Sequence, residues 1–309
     1  MLRIIVLGTA AGGGLPQWNC GCANCNRARR DSKIQMTQCS IAVSADGDHW
    51  YLINASPDIR QQITATPQLH PRPGRLRDSP IAGVILTNGE IDAIAGLLTL
   101  REGSPFAIYA HQAVLDTLKA NSIFNVLTLE RVKRHAMTSG QPFKPLLPDG
   151  SASGLEITPF KVSGKEALYL ESNASSSAAA RDDGGTLGLK IRHVAEDKVF
   201  FFIPACADVT LELKTMLSGA ALVLFDGTLW RDDEMIAAGL SQKTGTRMGH
   251  VSMSGDNGAI SALGALNIGQ KIFLHINNSN PALFAESPER RSAEQAGWRV
   301  PHDGMEIQL

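Results

Sequence analysis

Short apolar runs recur along the chain and predict β-strands. The first run, Leu2 to Leu7, is largely apolar and leads into a glycine-rich turn from Gly8 to Gly14. Comparable runs lie at residues 40–44, 50–53, 83–86, 106–110, 187–191, 199–203, 221–225 and 271–275. We therefore expect strands along the whole length of the chain.

Apolar residues at three- and four-residue spacing predict helices between some of these strands. These segments are residues 58–64, 92–100, 111–120, 209–218, 233–238 and 254–266. Strands that pair early and alternate with helices later indicate an α/β fold of mixed layers. The polar segment Ser172–Gly185 is predicted to be a surface loop that separates two similar halves. Because no long linker is present, we expect a single domain over residues 1–309.

Composition and charge exclude several classes of function. The chain has 43% hydrophobic residues, and its 29 basic and 30 acidic residues leave a formal net charge of −1. Because no basic excess is present, we expect no nucleic-acid partner. The N-terminal apolar run is too short for a signal peptide, and no apolar stretch is long enough to span a bilayer. We therefore expect a cytoplasmic protein without membrane insertion.

Three of the five cysteines, Cys20, Cys22 and Cys25, lie within six residues of one another. Thiolates at this spacing can face one centre, and Zn²⁺ favours four sulfur and nitrogen ligands in tetrahedral geometry. Crowded cysteines in a reducing compartment favour metal over disulfides. The sequence therefore predicts a structural zinc in an insert at about residues 15–30, with three metal-free thiols as the alternative.

The fourth ligand of this zinc must come from elsewhere. The candidates are His302, His275, the Asn277–Asn278 pair and a group from a second subunit. A ligand from a second copy would couple the zinc site to dimerisation, and we expect a homodimer.

A second polar group follows the predicted strand at residues 83–86. Asn88, Glu90 and Asp92 lie where this strand ends and an apolar helix begins. Ligands collect at the carboxyl ends of strands in α/β sheets, so these oxygens are predicted to form a metal site. An ordinary helix cap by Asn88 or Asp92 is the alternative.

Two histidines and one aspartate lie at similar places in the pattern. His250 precedes a predicted helix, while His275 and Asp226 each end an apolar strand. A lone histidine is more often structural, but three ionisable groups at strand exits and loop ends favour a shared cleft. Cys39 and Cys206 are predicted to be buried thiols, and Cys206 lies at another strand exit.

The order of these motifs resembles the metallo-β-lactamase superfamily over nearly the whole chain. The matching segments are Leu7–Gly14, Leu52–Asn54, Leu86–Leu97, Asp226–Thr228 and the late strand that ends in His275. This resemblance implies a four-layer αβ/βα sandwich with a metal centre at the edge where the two sheets meet.

Within the superfamily, the chain resembles the branch that acts in pyrroloquinoline quinone (PQQ) biosynthesis. The resemblance rests on the CxCxxC insert, Phe225–Trp230, Gly249–Ser252 and His275–Pro281. The insert is shared with a phosphodiesterase-like subgroup, whose fourth zinc ligand is a histidine at the position of Asn278 here.

Most of the ligand residues of the superfamily's HxHxDH metal motif are replaced in this sequence. Its positions hold Asn88, Glu90, Asp92 and Ala93. Two further ligand positions correspond to about Ser163 and to the turn at residues 204–206, where no such ligand is present. His275 matches the last superfamily ligand, and His250 resembles a general-acid histidine of related branches.

The reduced motif argues against a dinuclear zinc hydrolase, which needs several fixed ligands to hold two cations. We predict one divalent cation at this site, in addition to the structural zinc, and Fe²⁺ is the expected ion. Asp92 and His275 hold it, with Glu90, Asn88 or Asp226 as further ligands. Carboxylate and imidazole ligands with open positions resemble non-haem iron sites that activate oxygen. His250 and Asp226 are the predicted catalytic residues, and His250 moves a proton.

With this metal, the resemblance implies hydroxylation of the tyrosine ring of a small glutamate- and tyrosine-derived precursor. Two other functions stay open. A non-catalytic carrier that delivers the quinone or its precursor toward the periplasm accounts for the reduced motif. A phosphodiesterase-like hydrolase rests on the fold alone.

Overall fold

The computed structural model describes residues 1–165 and 185–309. Most of the predicted loop at residues 172–185 therefore lies outside the described residues. Two β-sheets face each other, and the described strands before that gap, except for the last one, belong to the first sheet.

The first sheet has seven strands in the order β13-β1-β2-β3-β4-β5-β6. They are β1 Arg3–Gly8, β2 Ser40–Ser44, β3 Trp50–Ile53, β4 Ile81–Ile85, β5 Phe106–His111, β6 Val132–Met137 and β13 Glu306–Gln308. The pairs from β13 to β3 are antiparallel, and those from β3 to β6 are parallel. The parallel strands therefore have their carboxyl ends at one edge of the sheet.

The second sheet has six strands in the order β12-β11-β10-β9-β8-β7. They are β7 Leu155–Lys161, β8 Leu187–His193, β9 Lys198–Ile203, β10 Leu222–Asp226, β11 Gln270–Leu274 and β12 Trp298–Arg299. β8 is antiparallel to both of its neighbours, β7 and β9, and the pairs from β9 to β12 are parallel. Each sheet is thus antiparallel on one side and parallel on the other.

Helices cover the outer faces of both sheets. They are α1 Ala23–Arg30, α2 Ile59–Ala65, α3 Ile91–Ile94, α4 Gln112–Ala120, α5 Leu211–Leu217, α6 Glu234–Ala237, α7 Ala259–Gly264 and α8 Pro288–Gln295. Successive residues of β1 show the layering: Ile4 and Val6 join the core between the sheets, whereas Ile5 and Leu7 join the core under α2 and α4. The predicted four-layer αβ/βα sandwich is confirmed.

Two predicted helices are shorter than expected. The apolar pattern does not predict four of the strands, β6, β7, β12 and β13, or the helices α1 and α8. The segment at residues 92–100 is α3 followed by the 3₁₀ helix Ala95–Arg101, and the segment at 254–266 is helical only in α7. The edge strand β6 buries only its first and last residues, so its charged interior hides the strand pattern. None of the described helices is long and apolar enough to cross a membrane.

Candidate metal centres

The carboxyl ends of parallel strands from both sheets meet at one edge. Asp92 follows β4 of the first sheet, and His275 directly follows β11 of the second. Their side chains join the sheets, because His275 Nε2 lies 3.0 Å from Asp92 Oδ2. His275 has a left-handed backbone with φ of 55°, which turns the chain sharply at the end of its strand.

The glycine-rich turn after β1 closes this edge. Its backbone binds the chain after His275 through hydrogen bonds from Ala11 N–H to Ile276 O and from Ile276 N–H to Thr9 O. A Cβ atom at Gly12 would lie 3.3 Å from Asp92 Oδ2. A residue without a side chain therefore lets this turn approach the carboxylate closely.

Asp226 and His250 form a second pair beside the first. His250 Nδ1 lies 2.7 Å from Asp226 Oδ2, and the imidazole of His250 stacks on that of His275 at 5.0 Å between ring centres. Gly249, with φ of 90°, turns the loop before His250. Val251 N–H donates to Cys206 O and holds the other side of the loop. The predicted cleft residues are thus brought together from both sheets.

Asp226 is fully buried, and both of its carboxylate oxygens accept hydrogen bonds. Cys206 N–H donates to Oδ2, and the N–H and hydroxyl of Thr228 lie 3.0 and 2.7 Å from Oδ1. With His250 also bound, Asp226 orients other groups in this structure instead of offering an open oxygen.

Thr228 is a site residue that sequence reasoning did not single out. Its hydroxyl lies 2.9 Å from His275 Nδ1 and 3.0 Å from His250 Nδ1. Because Nδ1 of His275 is engaged here, Nε2 is the nitrogen that faces Asp92. The signal was an Asp-Gly-Thr turn at a strand exit, which places a hydroxyl two residues after a buried carboxylate.

The charges of this cluster support one another. Burial alone would lower the pKa of His275, but the hydrogen bond and charge of Asp92 raise it above its ordinary value. Burial opposes ionisation of Asp92, yet the hydrogen bond from His275 and the nearby imidazoles lower the pKa of this carboxyl. The pair therefore favours a carboxylate and an imidazolium when no metal is bound.

Asn88 and Glu90 are engaged in other contacts. Asn88 Oδ1 accepts a hydrogen bond from Glu90 N–H at 3.0 Å, which closes a turn just before α3. The N-cap of α3 is Glu90, and no side chain caps this helix, so the alternative of a helix cap by Asn88 or Asp92 is not seen. Glu90 Oε1 lies 3.0 Å from Lys165 Nζ. Among the residues that the structure describes, the group at this edge with ligand atoms within 4.8 Å of one another is Asp226, His250 and His275. Metal binding by Asn88 and Glu90 stays a prediction.

A small cavity of about 10 Å³ lies between the two sheets at this edge. Its lining residues are Cys39, Asn54, Asn88, Asp92, Ala93, Pro204, Ala205 and His275. Such a volume accommodates one water-sized species. Burial raises the pKa of the Cys39 and Cys206 thiols far above the ordinary range, so both are neutral buried groups as predicted.

The cysteine cluster forms a separate site beside the start of α1. The sulfurs of Cys20, Cys22 and Cys25 lie within 4.8 Å of one another. Cys22 is the N-cap of α1, and Gln17 N–H donates to Cys25 Sγ at 3.3 Å. Three convergent sulfurs suit a soft cation such as Zn²⁺.

The side chain of Asn278 faces all three sulfurs. Its Nδ2 atom lies 3.3, 3.7 and 3.2 Å from the sulfurs of Cys20, Cys22 and Cys25. Rotation of the amide by half a turn exchanges this nitrogen for the carbonyl oxygen, which is the atom that would ligate a cation. Asn24 Nδ2 donates to Asn278 O and fixes the loop against α1.

The other ligand candidates from this chain point elsewhere. His275 contacts Asp92 and Thr228, and Asn277 Nδ2 donates to Ser279 Oγ at 2.6 Å. The exposed ring of His302 contacts the backbone oxygen of its neighbour. Of the candidates within the chain, the geometry therefore favours Asn278.

Comparison with known proteins identifies the family of the chain. Residues 49–276 match the family model of the beta-lactamase superfamily domain. The chain is 62% identical over 309 residues to coenzyme PQQ synthesis protein B of Rhodopseudomonas palustris (strain BisB5), with 100% of both chains covered.

Solved structures show the same fold. The 1.98-angstrom crystal structure of Zn(2+)-bound PqqB from Methylobacterium extorquens has a TM-score of 0.93 and 48% identity, and the match covers 99% of this chain and 100% of that one. A diphosphatase of the PhnP family has a TM-score of 0.67 at 18% identity, covering 100% and 98%, and shares the fold alone. The chain belongs to the coenzyme PQQ synthesis protein B family of the β-lactamase superfamily.

Proposed function

We propose that the protein acts in PQQ synthesis as a mononuclear metal-dependent oxygenase that hydroxylates the tyrosine ring of a glutamate- and tyrosine-derived precursor. The observation that carries this proposal is the pair of Asp92 and His275, with the pair of Asp226 and His250 beside it. The names of the full-length relatives support the pathway.

The first pair suits one divalent cation. Asp92 Oδ2 and His275 Nε2 face each other at 3.0 Å, so one carboxylate oxygen and one imidazole nitrogen would together hold the cation. Thr228 holds the other nitrogen of His275, as hydrogen-bond partners of metal-binding histidines commonly do. The small cavity next to the pair has room for one water-sized species.

An Fe²⁺ ion held by this pair would supply the activation of O₂. In the overall reaction, one oxygen atom of O₂ enters the ring as hydroxyl, and the other leaves as water after taking up two electrons and two protons from an external reductant such as ascorbate. His250 has 13% of its side chain exposed and a carboxylate on Nδ1, so it is suited to move the proton released from the ring.

The cysteine cluster has a structural role in this proposal. Cys20, Cys22, Cys25 and the Asn278 carbonyl oxygen hold one Zn²⁺, which fastens α1 to the chain after β11. The Zn²⁺-bound relative supports Zn²⁺ as a metal of this family.

The test is aerobic incubation of iron-loaded protein with a Glu-Tyr dipeptide and ascorbate, followed by mass spectrometry. We expect one added oxygen with wild-type protein and none with Asp92→Ala or His275→Ala. Asp116→Ala, at an exposed aspartate of α4, is the matched control and should keep full activity. Undiminished hydroxylation by Asp92→Ala would refute the site.

Carrier function is the second candidate, favoured by the engagement of Asn88, Glu90 and Asp226 in contacts within the protein. A carrier of PQQ needs no open metal position. Titration of PQQ into metal-free protein should then give saturable, tight binding without oxygen consumption. An oxygenase should instead prefer the precursor.

A further inference from the structure

An arginine-rich hollow lies at the opposite end of the first sheet from the metal edge. It has a volume of about 840 Å³ and is formed by the segments that precede β4, β5 and β6. Its arginines, here called the arginine surface, are Arg72, Arg75, Arg77, Arg101 and Arg131. Because β4 to β6 are parallel, their amino ends face away from Asp92 and His275.

The arginine surface carries a local excess of positive charge. Five arginines and two acidic residues, Asp78 and Glu102, line the hollow, which leaves an excess of three positive charges. The whole chain has a net charge of −1, so the basic residues are concentrated here against the overall balance. Such a local field attracts anionic partners.

Part of this surface is held in place, and part is available. Asp78 accepts hydrogen bonds from Arg72 Nε at 2.6 Å and from Arg72 Nη2 at 2.9 Å, and it also contacts Arg75. Within residues 1–165 and 185–309, the exposed side chain of Arg77 makes no hydrogen bond or ion pair. Asp78 therefore holds Arg72 and Arg75 in place, whereas the side chain of Arg77 is open to solvent.

Apolar side chains accompany the charges. Val126 lines the hollow and is 46% exposed. Leu76 is not a lining residue, but it is fully exposed, and its two neighbours in the chain, Arg75 and Arg77, both line the hollow. Arginine beside exposed apolar residues is typical of protein interfaces, whereas a small inorganic anion would leave Leu76 uncovered.

We propose that the arginine surface docks a segment of a partner protein that carries several carboxylates interspersed with leucine-like side chains. The carboxylates pair first with Arg77 and also with Arg75 and Arg101, whose partners within the protein are Asp78 and Glu102. The apolar side chains of the segment cover Leu76 and Val126. The hollow is far from the reactive edge, so the partner binds without blocking the metal site.

The experiment uses the full-length protein and a fluorescein-labelled synthetic peptide of glutamate, leucine and glycine, with binding read by fluorescence anisotropy. We expect saturable binding that weakens as salt is added. Arg77→Glu should lower the affinity about tenfold or more, and Leu76→Ser should lower it while every charge remains. Neither side chain supports the fold, so thermal melting should stay unchanged.

Controls separate this surface from general charge effects. The double variant Arg30→Glu with Arg60→Glu makes a larger charge change at two exposed arginines elsewhere, and it should bind the peptide like wild type. Equal affinity of wild type and Arg77→Glu would overturn the proposal. So would equal binding of a lysine-and-leucine peptide, equal binding of a glutamate peptide without leucine, or displacement by inorganic phosphate or a DNA oligonucleotide at matching concentrations.

Discussion

At the scale of single residues, one hydroxyl group connects the ionisable groups of the metal edge. Thr228 Oγ1 lies within 3.0 Å of both imidazole Nδ1 atoms and 2.7 Å from Asp226 Oδ1. A hydroxyl has one proton to donate, so its orientation is coupled to the protonation of its neighbours. The arrangement of both histidines therefore depends on a residue that itself binds no metal.

Thr228→Val tests this dependence, because valine has nearly the same shape without the hydroxyl. We expect metal affinity at the edge to fall about 10- to 100-fold, as for other lost partners of ligand histidines. Isothermal titration calorimetry with the metal measures the affinity of both variants and of wild type. Thr215→Val, at an exposed threonine of α5, is the matched control. Unchanged affinity in Thr228→Val would show that the hydroxyl does not position His275.

Asn278 allows a test of the zinc site at the same scale. Asn278→Ala removes the fourth group and should weaken zinc binding about tenfold or more, whereas Asn278→His supplies a nitrogen ligand and should retain or strengthen it. Competition with a chromogenic chelator measures both affinities. If Asn278→Ala binds zinc as tightly as wild type, the amide is not a ligand.

At the scale of elements, a backbone contact accounts for the change from α-helix to 3₁₀ helix after α3. Gly96 lies in the 3₁₀ segment after α3, and a Cβ atom there would lie 2.1 Å from Ser56 O. Its N–H also donates to Ala55 O. This close contact between neighbouring loops fixes the segment that carries Asp92.

Gly96→Ala should therefore lower the free energy of unfolding by about 1–3 kcal/mol, since the added methyl group overlaps the backbone. Urea denaturation measures the difference. Gly264→Ala, at the end of α7, has no atom within 4 Å of the new Cβ and is the control, with a neutral or slightly stabilising effect. Equal effects of both substitutions would contradict the proposed contact.

The sequence predicts elements that bury most of their residues better than elements that bury few. Strands such as β2 and β10 are fully buried, so their apolar runs reveal them. The polar helix α8 buries only Ala293, and β6 buries only its two end residues, so periodicity gives little signal there.

The residues of the candidate site also differ in how well the sequence predicts them. The sequence indicates Asp226 and His275, because each residue ends an apolar strand and the local pattern is enough to locate it. The contacts of Thr228, and of Asn278 with the sulfurs, depend on groups that meet only after both sheets pack.

At the scale of the whole molecule, charged groups lie at two opposite ends of the first sheet, the edge with Asp92 and His275 and the arginine surface. The arginine surface depends on Asp78, because hydrogen bonds from Arg72 hold the pKa of this carboxyl well below its ordinary value, at about 2. A carboxyl with a depressed pKa stabilises the folded state above its unfolded pKa. That contribution disappears as the pH falls from about 4 to about 2.

Asp78→Asn should therefore lower the free energy of unfolding by about 1 kcal/mol near pH 7, because Arg72 is partly exposed and solvent screens the pair. The difference from wild type should shrink as the pH falls below about 4 and vanish near pH 2. Urea denaturation across this range measures it. A difference that persists at pH 2 would mean that the carboxylate charge is not responsible.

The short loop after β11 has a consequence for metal supply. His275 and Asn278 are three residues apart, so one loop serves both the reactive edge and the cysteine cluster. Zinc starvation would release the cysteine end of this loop and loosen the imidazole at its other end. Under the proposed oxygenase function, cells short of zinc should then make less hydroxylated product even when iron is plentiful.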